Sequence, residues 1–208
     1  TAGIRRKSKI EEDLEYYSVL RAMKSIDRAD VAVMMLDAVE GLTDQDKRIV
    51  GMAHENKKPT IICVNKWDLV EKDGKTLKTF EEELRAELPF LSYAPIIFIS
   101  ALTGQRVLKI LETAKYIYDE YTKRISTGLL NTVLKDAIAV NEAPTRKGRA
   151  IKINYATQIS SAPPRFALFC NHPDLLHFSY IRYIENKFRE AFGFEGCPIE
   201  FVVNKKND

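Results

Sequence analysis

Four consecutive residues, Asn65-Lys66-Trp67-Asp68, have the types and the order that can bind a nucleotide base. They directly follow the apolar run Ile61-Ile62-Cys63-Val64, which is predicted to form a buried strand. The carboxylate of Asp68 can accept two hydrogen bonds side by side. Guanine presents such a donor pair at N1 and N2, whereas adenine does not. The Asn-Lys-x-Asp pattern at the end of a strand therefore predicts a guanine-binding site.

A second motif, Ser100-Ala101-Leu102, follows another apolar run, Ile96-Ile97-Phe98-Ile99. A Ser-Ala step in this position can direct a backbone N–H at guanine O6. Ligands of parallel sheets bind beyond the carboxyl ends of the strands, so we expect the two motifs to lie at one edge. Trp67 occupies the variable position of its motif and either stacks on the base or packs beside the site. The nucleotide-binding candidates in these motifs are Asn65, Lys66, Trp67, Asp68, Ser100, Ala101 and Leu102.

Strands and helices alternate through the first part of the chain, which predicts an α/β fold with a mostly parallel sheet. Strands are expected at about 31–36, 60–65 and 96–100, and helices at about 43–56, 75–88 and 105–123. In the last of these helices the apolar residues recur at spacings of three and four, which predicts a buried stripe. The stripe consists of Val107, Leu108, Leu111, Ala114, Ile117, Tyr118 and Tyr121.

The sequence contains no phosphate-binding loop. Gly-x-x-x-x-Gly-Lys-Ser/Thr normally joins the first strand and helix of a nucleotide-binding domain of this kind, and no segment matches it. Thr1-Ala2-Gly3 resembles the end of the Asp-x-x-Gly switch that contacts magnesium and the γ-phosphate, with its Asp just before the first residue. We therefore expect a fragment whose first strands and phosphate loop precede Thr1. No catalytic or metal-ligating residue is assigned within it.

The second part of the chain has a different order of elements. After Lys123-Arg124 the order is helix, strand, strand, helix, strand, which predicts a small α+β domain. These elements are expected at about 127–141, 150–158, 166–170, 176–192 and 198–203. We place the two domains at residues 1–125 and 126–208. Gly193-Phe194-Glu195-Gly196 lies between a helix and a strand, so it is interpreted as a helix end and turn rather than an RNA clamp between two helices.

Positive charge is concentrated in the second domain. Residues 127–208 contain 11 Lys and Arg against 8 Asp and Glu, so they carry the whole net charge of +3. Residues 143–173 contain no acid at all. Such a stretch attracts a phosphate backbone, or it forms a solvated strand pair whose acids lie elsewhere in the sequence. The RNA-binding candidates are Arg146, Lys147, Arg149, Lys152 and Arg165.

Several other classes of protein do not fit the composition. No apolar run approaches the ~18 to 20 residues of a membrane span, and the start of the chain has no apolar signal-like segment. Cys63, Cys170 and Cys197 show no Cys-x-x-Cys spacing and are expected to be buried free thiols in a reducing cytoplasm. The histidines form no metal-ligand pattern.

Three segments of the sequence resemble the EngA family of bacterial GTPases, also called Der. They are Thr1-Ala2-Gly3-Ile4-Arg5-Arg6-Lys7, the Asn-Lys-x-Asp motif, and the run from His177-Phe178-Ser179-Tyr180 through Phe192-Gly193-Phe194-Glu195-Gly196-Cys197-Pro198-Ile199. This family carries two tandem GTPase domains followed by a KH-like domain. The resemblance implies that the chain is most of the second GTPase domain, without its phosphate loop, followed by the whole KH-like domain.

The resemblance also implies roles, cofactors and partners. Lys66 would lay its stem along the guanine ring, while Asn65 would brace the loop. The residues implied at the γ-phosphate switch are Thr1, Ala2, Gly3 and Ile4. The cofactors would be GTP and GDP, with Mg2+ expected only in the intact protein. The implied partners are the RNA and proteins of the large ribosomal subunit and the upstream GTPase domain of the same protein, in the cytoplasm and away from membranes.

Two functions follow from these features. The first is a GTPase of the EngA type that acts in assembly and stability of the large ribosomal subunit and hydrolyses GTP in the intact protein. Two hydrogen bonds to Asp68 gain about 3 to 6 kcal/mol at most, and the entropy of association offsets much of that, so we expect no hydrolysis by this fragment alone. The alternative is a non-enzymatic RNA- or ribosome-binding module whose nucleotide domain is degenerate.

Overall fold

The computed structural model describes residues 21–146 and 148–205. The chain divides into two compact units, Thr1–Tyr118 and Asp119–Asp208. No helix in the described part of the chain has the length and apolarity that crossing a bilayer requires.

The first unit is built on a three-stranded parallel sheet, as the alternating pattern predicts. The strands lie side by side in the order β1, β2, β3, and β2 is paired on both edges. The strands are β1 (Ala32–Asp37), β2 (Thr60–Asn65) and β3 (Ile96–Phe98). The helices that alternate with them are α1 (Asp44–Glu55), α2 (Thr76–Glu87) and α3 (Val107–Thr122).

The bounds of helix α1 have local causes that the sequence reveals. The hydroxyl of Thr43 accepts a hydrogen bond from the Asp46 amide, and the Asp46 carboxylate accepts one from the Thr43 amide. This reciprocal capping satisfies two amide donors that the first turn would otherwise leave without partners. The helix ends where Asn56 leaves the helical conformation. The predicted helix at 43–56 is therefore confirmed to within one residue at each end.

The core of the first unit surrounds the central strand. All of β2 except its last residue is buried, which explains why its sequence is continuously apolar instead of alternating. The prediction of a fully buried stripe on α3 is wrong. Ile117 is buried, but Leu108 and Leu111 are 74% and 70% exposed. Val107, Ala114 and Tyr121 are partly buried, so the stripe is covered only in part.

The second unit has the predicted order of helix, strand, strand, helix, strand. Strands β4 and β5 form an antiparallel hairpin, and β6 pairs with β5 in parallel. The elements are α4 (Thr127–Val140), β4 (Ile153–Ser161), β5 (Pro164–Cys170), α5 (Phe178–Phe192) and β6 (Glu200–Lys205). Ser126 caps α4, since its hydroxyl accepts a hydrogen bond from the Leu129 amide.

The Gly-x-x-Gly segment is a helix end and turn, as predicted. Gly193 ends α5 with a φ of +89°, a conformation that favours glycine. The next amide, of Phe194, donates to the carboxylate of Glu120 at 2.7 Å, and the Phe194 side chain is buried. The Cys197 amide then donates to the Phe194 carbonyl at 3.2 Å, which closes the turn.

Candidate guanine-binding site

The Asn-Lys-x-Asp motif forms a tight turn at the carboxyl end of β2. Asn65 is the last residue of the strand, and a single 3₁₀ turn follows at Trp67–Leu69. Lys66 joins them with a left-handed backbone conformation, φ +60°. The Trp67 amide donates to the carbonyl of Ile99 at 3.0 Å, which fixes the turn against the end of the neighbouring strand. The motif is therefore held from two strands before any ligand binds.

Asn65 joins the two predicted motifs. Its side-chain oxygen accepts a hydrogen bond from the Ala101 amide at 2.9 Å. The structure thus brings the Asn-Lys-x-Asp turn and the Ser100–Leu102 segment together. The Ser-Ala step was expected to direct an amide at guanine O6, whereas the Ala101 N–H is donated to Asn65. Binding of O6 at this amide would require the hydrogen bond to be shared or exchanged.

Asp68 has the property that a base-binding carboxylate requires. Its Oδ1 atom is shielded from solvent and has no hydrogen-bond partner in the described part of the chain. A buried carboxylate oxygen without a donor carries a desolvation penalty, which a ligand N–H would relieve. The donor set of guanine, two adjacent N–H groups, fits this acceptor.

Lys66 is paired with an acid that the sequence pattern did not single out. Its ammonium forms an ion pair with the carboxylate of Asp37, the last residue of β1. This hydrogen bond, together with those from the amides of Val39 and Glu40, lowers the pKa of Asp37 below its usual value of 3.8. The same contact raises the pKa of Lys66 above 10.5. Asp37 could have been found from its position, because it ends the strand that runs beside β2 and aligns with Asn65.

Trp67 lies in the hydrophobic core of the first unit. Its indole is buried and contacts the rings of Phe80 and Phe98, with centroid distances of 5.6 and 4.4 Å. Of the two interpretations left open by the sequence, the contacts favour packing beside the site. The indole thereby anchors the turn that carries Asp68.

The second motif divides into a buried and an exposed part. The Ser100 hydroxyl is buried and accepts a hydrogen bond from the Thr103 amide at 3.1 Å, so it shapes the loop from inside. Leu102 lies at the opposite extreme and is one of the most exposed apolar residues of the chain. Its side chain stands at the surface of the loop that Asn65 holds.

The switch candidates cannot be compared with the structure. Thr1, Ala2, Gly3 and Ile4 lie outside the described residues. Among residues 21–146 and 148–205, no group of three or more His, Cys, Asp or Glu side chains could hold a metal ion.

The structure separates the basic RNA-binding candidates into two groups. Arg146 and Arg149 exchange backbone hydrogen bonds of 3.0 and 2.9 Å across a tight turn, and Lys152 follows on the same segment. Lys147 lies outside the described residues. Arg165 aligns with Ser160 near the opposite end of the β4–β5 hairpin. At a rise of ~3.3 Å per residue, Ser160 lies about 20 Å along β4 from Ile153.

Arg165 is also neutralised. Its Nε and Nη2 atoms donate to one carboxylate oxygen of Glu200 at 2.9 and 2.7 Å. The sequence showed no acid near Arg165, because Glu200 comes from β6, which is adjacent only in the folded sheet. Of the two interpretations left open by the sequence, the contacts of Arg165 favour the second, a strand pair whose acid lies elsewhere in the sequence.

The fold and the site together define a class of protein. A parallel sheet places three features at neighbouring strand ends: an aspartate whose buried Oδ1 has no partner among the described residues, a bracing asparagine and a Ser-Ala loop. This arrangement is typical of nucleotide-binding α/β domains. A small α+β domain follows it. Comparison with known proteins identifies both parts. Residues 18–120 match the family described as elongation factor Tu GTP binding domain. Residues 124–204 match the KH-domain-like C-terminal family of EngA bacterial GTPase enzymes.

Two curated relatives that match the whole chain give the same answer. GTPase Der of Fusobacterium nucleatum is 71% identical over 208 residues, which are 100% of this chain and 47% of that protein. GTPase Der of Caldanaerobacter subterraneus is 56% identical over 208 residues, with the same coverage of 100% and 47%. A crystal structure of Aquifex aeolicus Era is 23% identical, with a TM-score of 0.48, and covers 100% of this chain and 76% of that one.

The chain belongs to the Der (EngA) family of GTPases. It spans about half the length of the curated relatives that it matches.

Proposed function

We propose that this chain supplies the guanine-binding half of a GTPase that acts in assembly of the large ribosomal subunit. The observation that carries the proposal is the buried Oδ1 of Asp68, which has no partner in the described part of the chain. Guanine N1–H and N2–H would donate to the Asp68 carboxylate. Lys66 would lie along the ring, and Asn65 would hold the two loops together.

Affinity for GTP would depend on a second contribution from the phosphates. Charged hydrogen bonds are worth about 1.5 to 3 kcal/mol each, and association entropy of at least ~4 kcal/mol opposes them. The base contacts in this chain would therefore select guanine without binding it tightly. A phosphate-binding segment of the intact protein, with Mg2+ and a switch that includes Thr1, Ala2, Gly3 and Ile4, would supply the remaining affinity and permit hydrolysis.

The second part would act as the ribosome-contacting domain. We propose domains at residues 1–125 and 126–208, with the second a KH-like domain. Its basic segment, carrying Arg146, Lys147, Arg149 and Lys152, would contact the RNA backbone. Ribosomal proteins and the upstream GTPase domain of the same protein would be further partners. The cytoplasm, where ribosomes assemble, would be its place of action.

The test of the proposal is a change of base preference in the full-length protein that carries this chain. Asp68→Asn replaces an acceptor pair by a donor and an acceptor, which suits xanthine, because xanthine has a carbonyl at C2 where guanine has an amino group. We expect affinity for GDP to fall roughly tenfold to a hundredfold and affinity for xanthosine diphosphate to rise. Titration calorimetry with both nucleotides measures the change. Glu71→Gln, an exposed acid three residues further on, is the control. Unchanged guanine preference in Asp68→Asn would refute the role of Asp68.

One observation favours a second candidate function, a non-enzymatic RNA- or ribosome-binding module. The second domain carries exposed basic residues at Arg146, Arg149 and Lys152, which suit a phosphate backbone whether or not a nucleotide is bound. Under this alternative the full-length protein would bind RNA without binding GDP. The calorimetric experiment therefore separates the two functions, since the alternative predicts no heat of nucleotide binding in the unsubstituted protein.

A further inference from the structure

The two faces of the sheet in the second unit differ in their surroundings. On one face the side chains of β5 are completely buried, as Phe166, Leu168 and Cys170 are each 0% exposed. The opposite face carries apolar residues that remain open to solvent. Tyr155, Ile159 and Val202 are 39%, 50% and 40% exposed. Within the described residues this is a sheet face that solvent reaches.

A stacked pair of aromatic rings stands at one end of the open face. Tyr155 on β4 and Phe169 on β5 are cross-strand partners in the hairpin. Their ring centroids are 4.4 Å apart and their planes differ by only 12°. Cross-strand packing explains why the two rings are in contact. It does not explain why the Tyr155 side chain is partly exposed to solvent. A parallel pair of this kind presents a flat aromatic surface on which a nucleobase can stack.

Basic and amide side chains are concentrated at the same end of the sheet. Ile153 aligns with Cys170, so Lys152, one residue before Ile153, lies next to the row of Tyr155 and Phe169. Asn204 aligns with Phe169. Arg149 belongs to the turn that leads into β4. Two acids come close to this end in sequence, Asp174 in the turn after β5 and Asp208 outside the described residues.

At the other end of the open face, the positive charge of Arg165 is paired. Arg165 and Glu200 align there and neutralise each other. Among the described residues the face is therefore asymmetric, with aromatic rings and cations at one end and an ion pair at the other. This combination of a stacking surface with flanking cations is complementary to a single-stranded nucleic acid, whose bases would meet the rings and whose phosphates would meet Lys152 and Arg149.

We propose that the Tyr155–Phe169 end of this sheet binds single-stranded RNA by base stacking. The inference rests on the proposed RNA contact of the second domain and assigns that contact to a specific surface. A base lies against the exposed Tyr155 ring, and Lys152 and Arg149 neutralise the adjacent phosphates. Stacking tolerates any base, so the site discriminates single from double strands more than it discriminates sequences.

The experiment measures binding of a fluorescein-labelled 12-nucleotide oligouridylate to the full-length protein by fluorescence anisotropy at fixed salt. Tyr155→Leu and Phe169→Leu remove a ring and keep an apolar side chain on the sheet. Tyr155→Phe keeps the ring and is the matched control. We expect Tyr155→Leu and Phe169→Leu to weaken binding roughly tenfold, and Tyr155→Phe to bind within twofold of the unsubstituted protein. Thermal unfolding of each variant verifies the fold.

A second readout does not depend on affinity. An oligonucleotide with one 2-aminopurine loses fluorescence when that base stacks on an aromatic ring. We expect quenching with the unsubstituted protein and Tyr155→Phe, and its loss with Tyr155→Leu at saturating protein. Equal quenching in all three would overturn the assignment of the stacking surface.

The remaining outcomes separate this inference from the proposed function. If the unsubstituted protein binds RNA and the Leu variants bind equally well, this surface is not the RNA site, while the proposed RNA contact stands. If the Leu variants bind RNA normally but lose binding to large ribosomal subunits, the face docks a protein and the inference is overturned. If no RNA binds to any of them while GDP does, both the RNA contact and this inference fail, and the guanine site stands.

Discussion

The carboxylate of Asp37 and the ammonium of Lys66 form an ion pair across the adjacent carboxyl ends of β1 and β2. Asp37 also accepts a hydrogen bond from the Val39 amide at 2.9 Å. A backbone amide just after β1 therefore also holds this carboxylate in place. The pair therefore ties the Lys66 side chain to the end of β1. In this way β1 contributes to a candidate site whose recognisable motif lies at the end of β2 and in the turn that follows it.

Asp37→Asn is expected to weaken guanine-nucleotide binding to the full-length protein about twofold to fivefold. This is the effect expected from the loss of one partly exposed ion pair. The substitution keeps a hydrogen-bond acceptor for Val39 and removes the charge that holds Lys66. Fluorescence titration with a labelled GDP measures the change. Glu55→Gln makes the same change of charge at an exposed position on α1 and should have no effect. Equal weakening by both variants would assign the effect to net charge rather than to the pair.

The ion pair also predicts a dependence on pH. In the folded protein the hydrogen bond from Lys66 lowers the pKa of Asp37. The ionised carboxylate therefore stabilises the fold fully above pH 3.8, and this stabilisation is lost as the pH falls through the lower pKa of the folded state. Folding raises the pKa of Lys66, so the charged ammonium stabilises the fold fully below pH 10.5. That stabilisation is lost as the pH rises through the higher pKa of the folded state. We expect the difference in Tm between Asp37→Asn and the unsubstituted protein to be constant from about pH 5 to pH 9 and to shrink below about pH 4. A difference that persists at pH 2 would contradict this explanation.

Arg149 and Arg165 should differ in their contribution to RNA binding. Arg165 is already paired with Glu200, whereas Arg149 stands on the exposed turn before β4. We expect Arg149→Gln to reduce the slope of log affinity against log salt by about 0.7, the value for one phosphate contact on a single strand. Arg165→Gln should leave the slope unchanged. Anisotropy titrations at several salt concentrations measure both, and a reduced slope for Arg165→Gln would mean that its ion pair opens on binding.

Gly193→Ala should destabilise the second unit. A Cβ at this position would lie 2.6 Å from the Glu120 carboxylate oxygen that accepts the Phe194 amide, and φ is +89°. We expect a loss of about 1 to 3 kcal/mol in the free energy of unfolding. Gly128→Ala is the matched control, because nothing lies within 4 Å of its Cβ and its φ is not positive. This change in α4 should stabilise by about 0.4 to 1 kcal/mol. Denaturant unfolding that ranks the two variants the other way would contradict the role of the turn.

The sequence by itself determined most of the secondary structure and located the candidate guanine-binding motif. A continuous apolar run predicted strand β2, and the sequence placed the beginnings of α1 and α4 at about residues 43 and 127. These signals are local, because a helix cap or an apolar run involves residues only a few positions apart. The Asn-Lys-x-Asp motif is local for the same reason, since its four residues form the end of β2 and the turn after it.

Only the tertiary structure decided which residues are partners across long stretches of sequence. The ion pairs of Lys66 with Asp37 and of Arg165 with Glu200 arise because neighbouring strands bring distant residues into register. The exposure of Leu108 and Leu111 on α3 likewise depends on what lies against the helix, which the period of its sequence does not reveal. Periodicity predicts that a face is apolar, but burial requires a second surface, and the identity of that surface is a property of the fold.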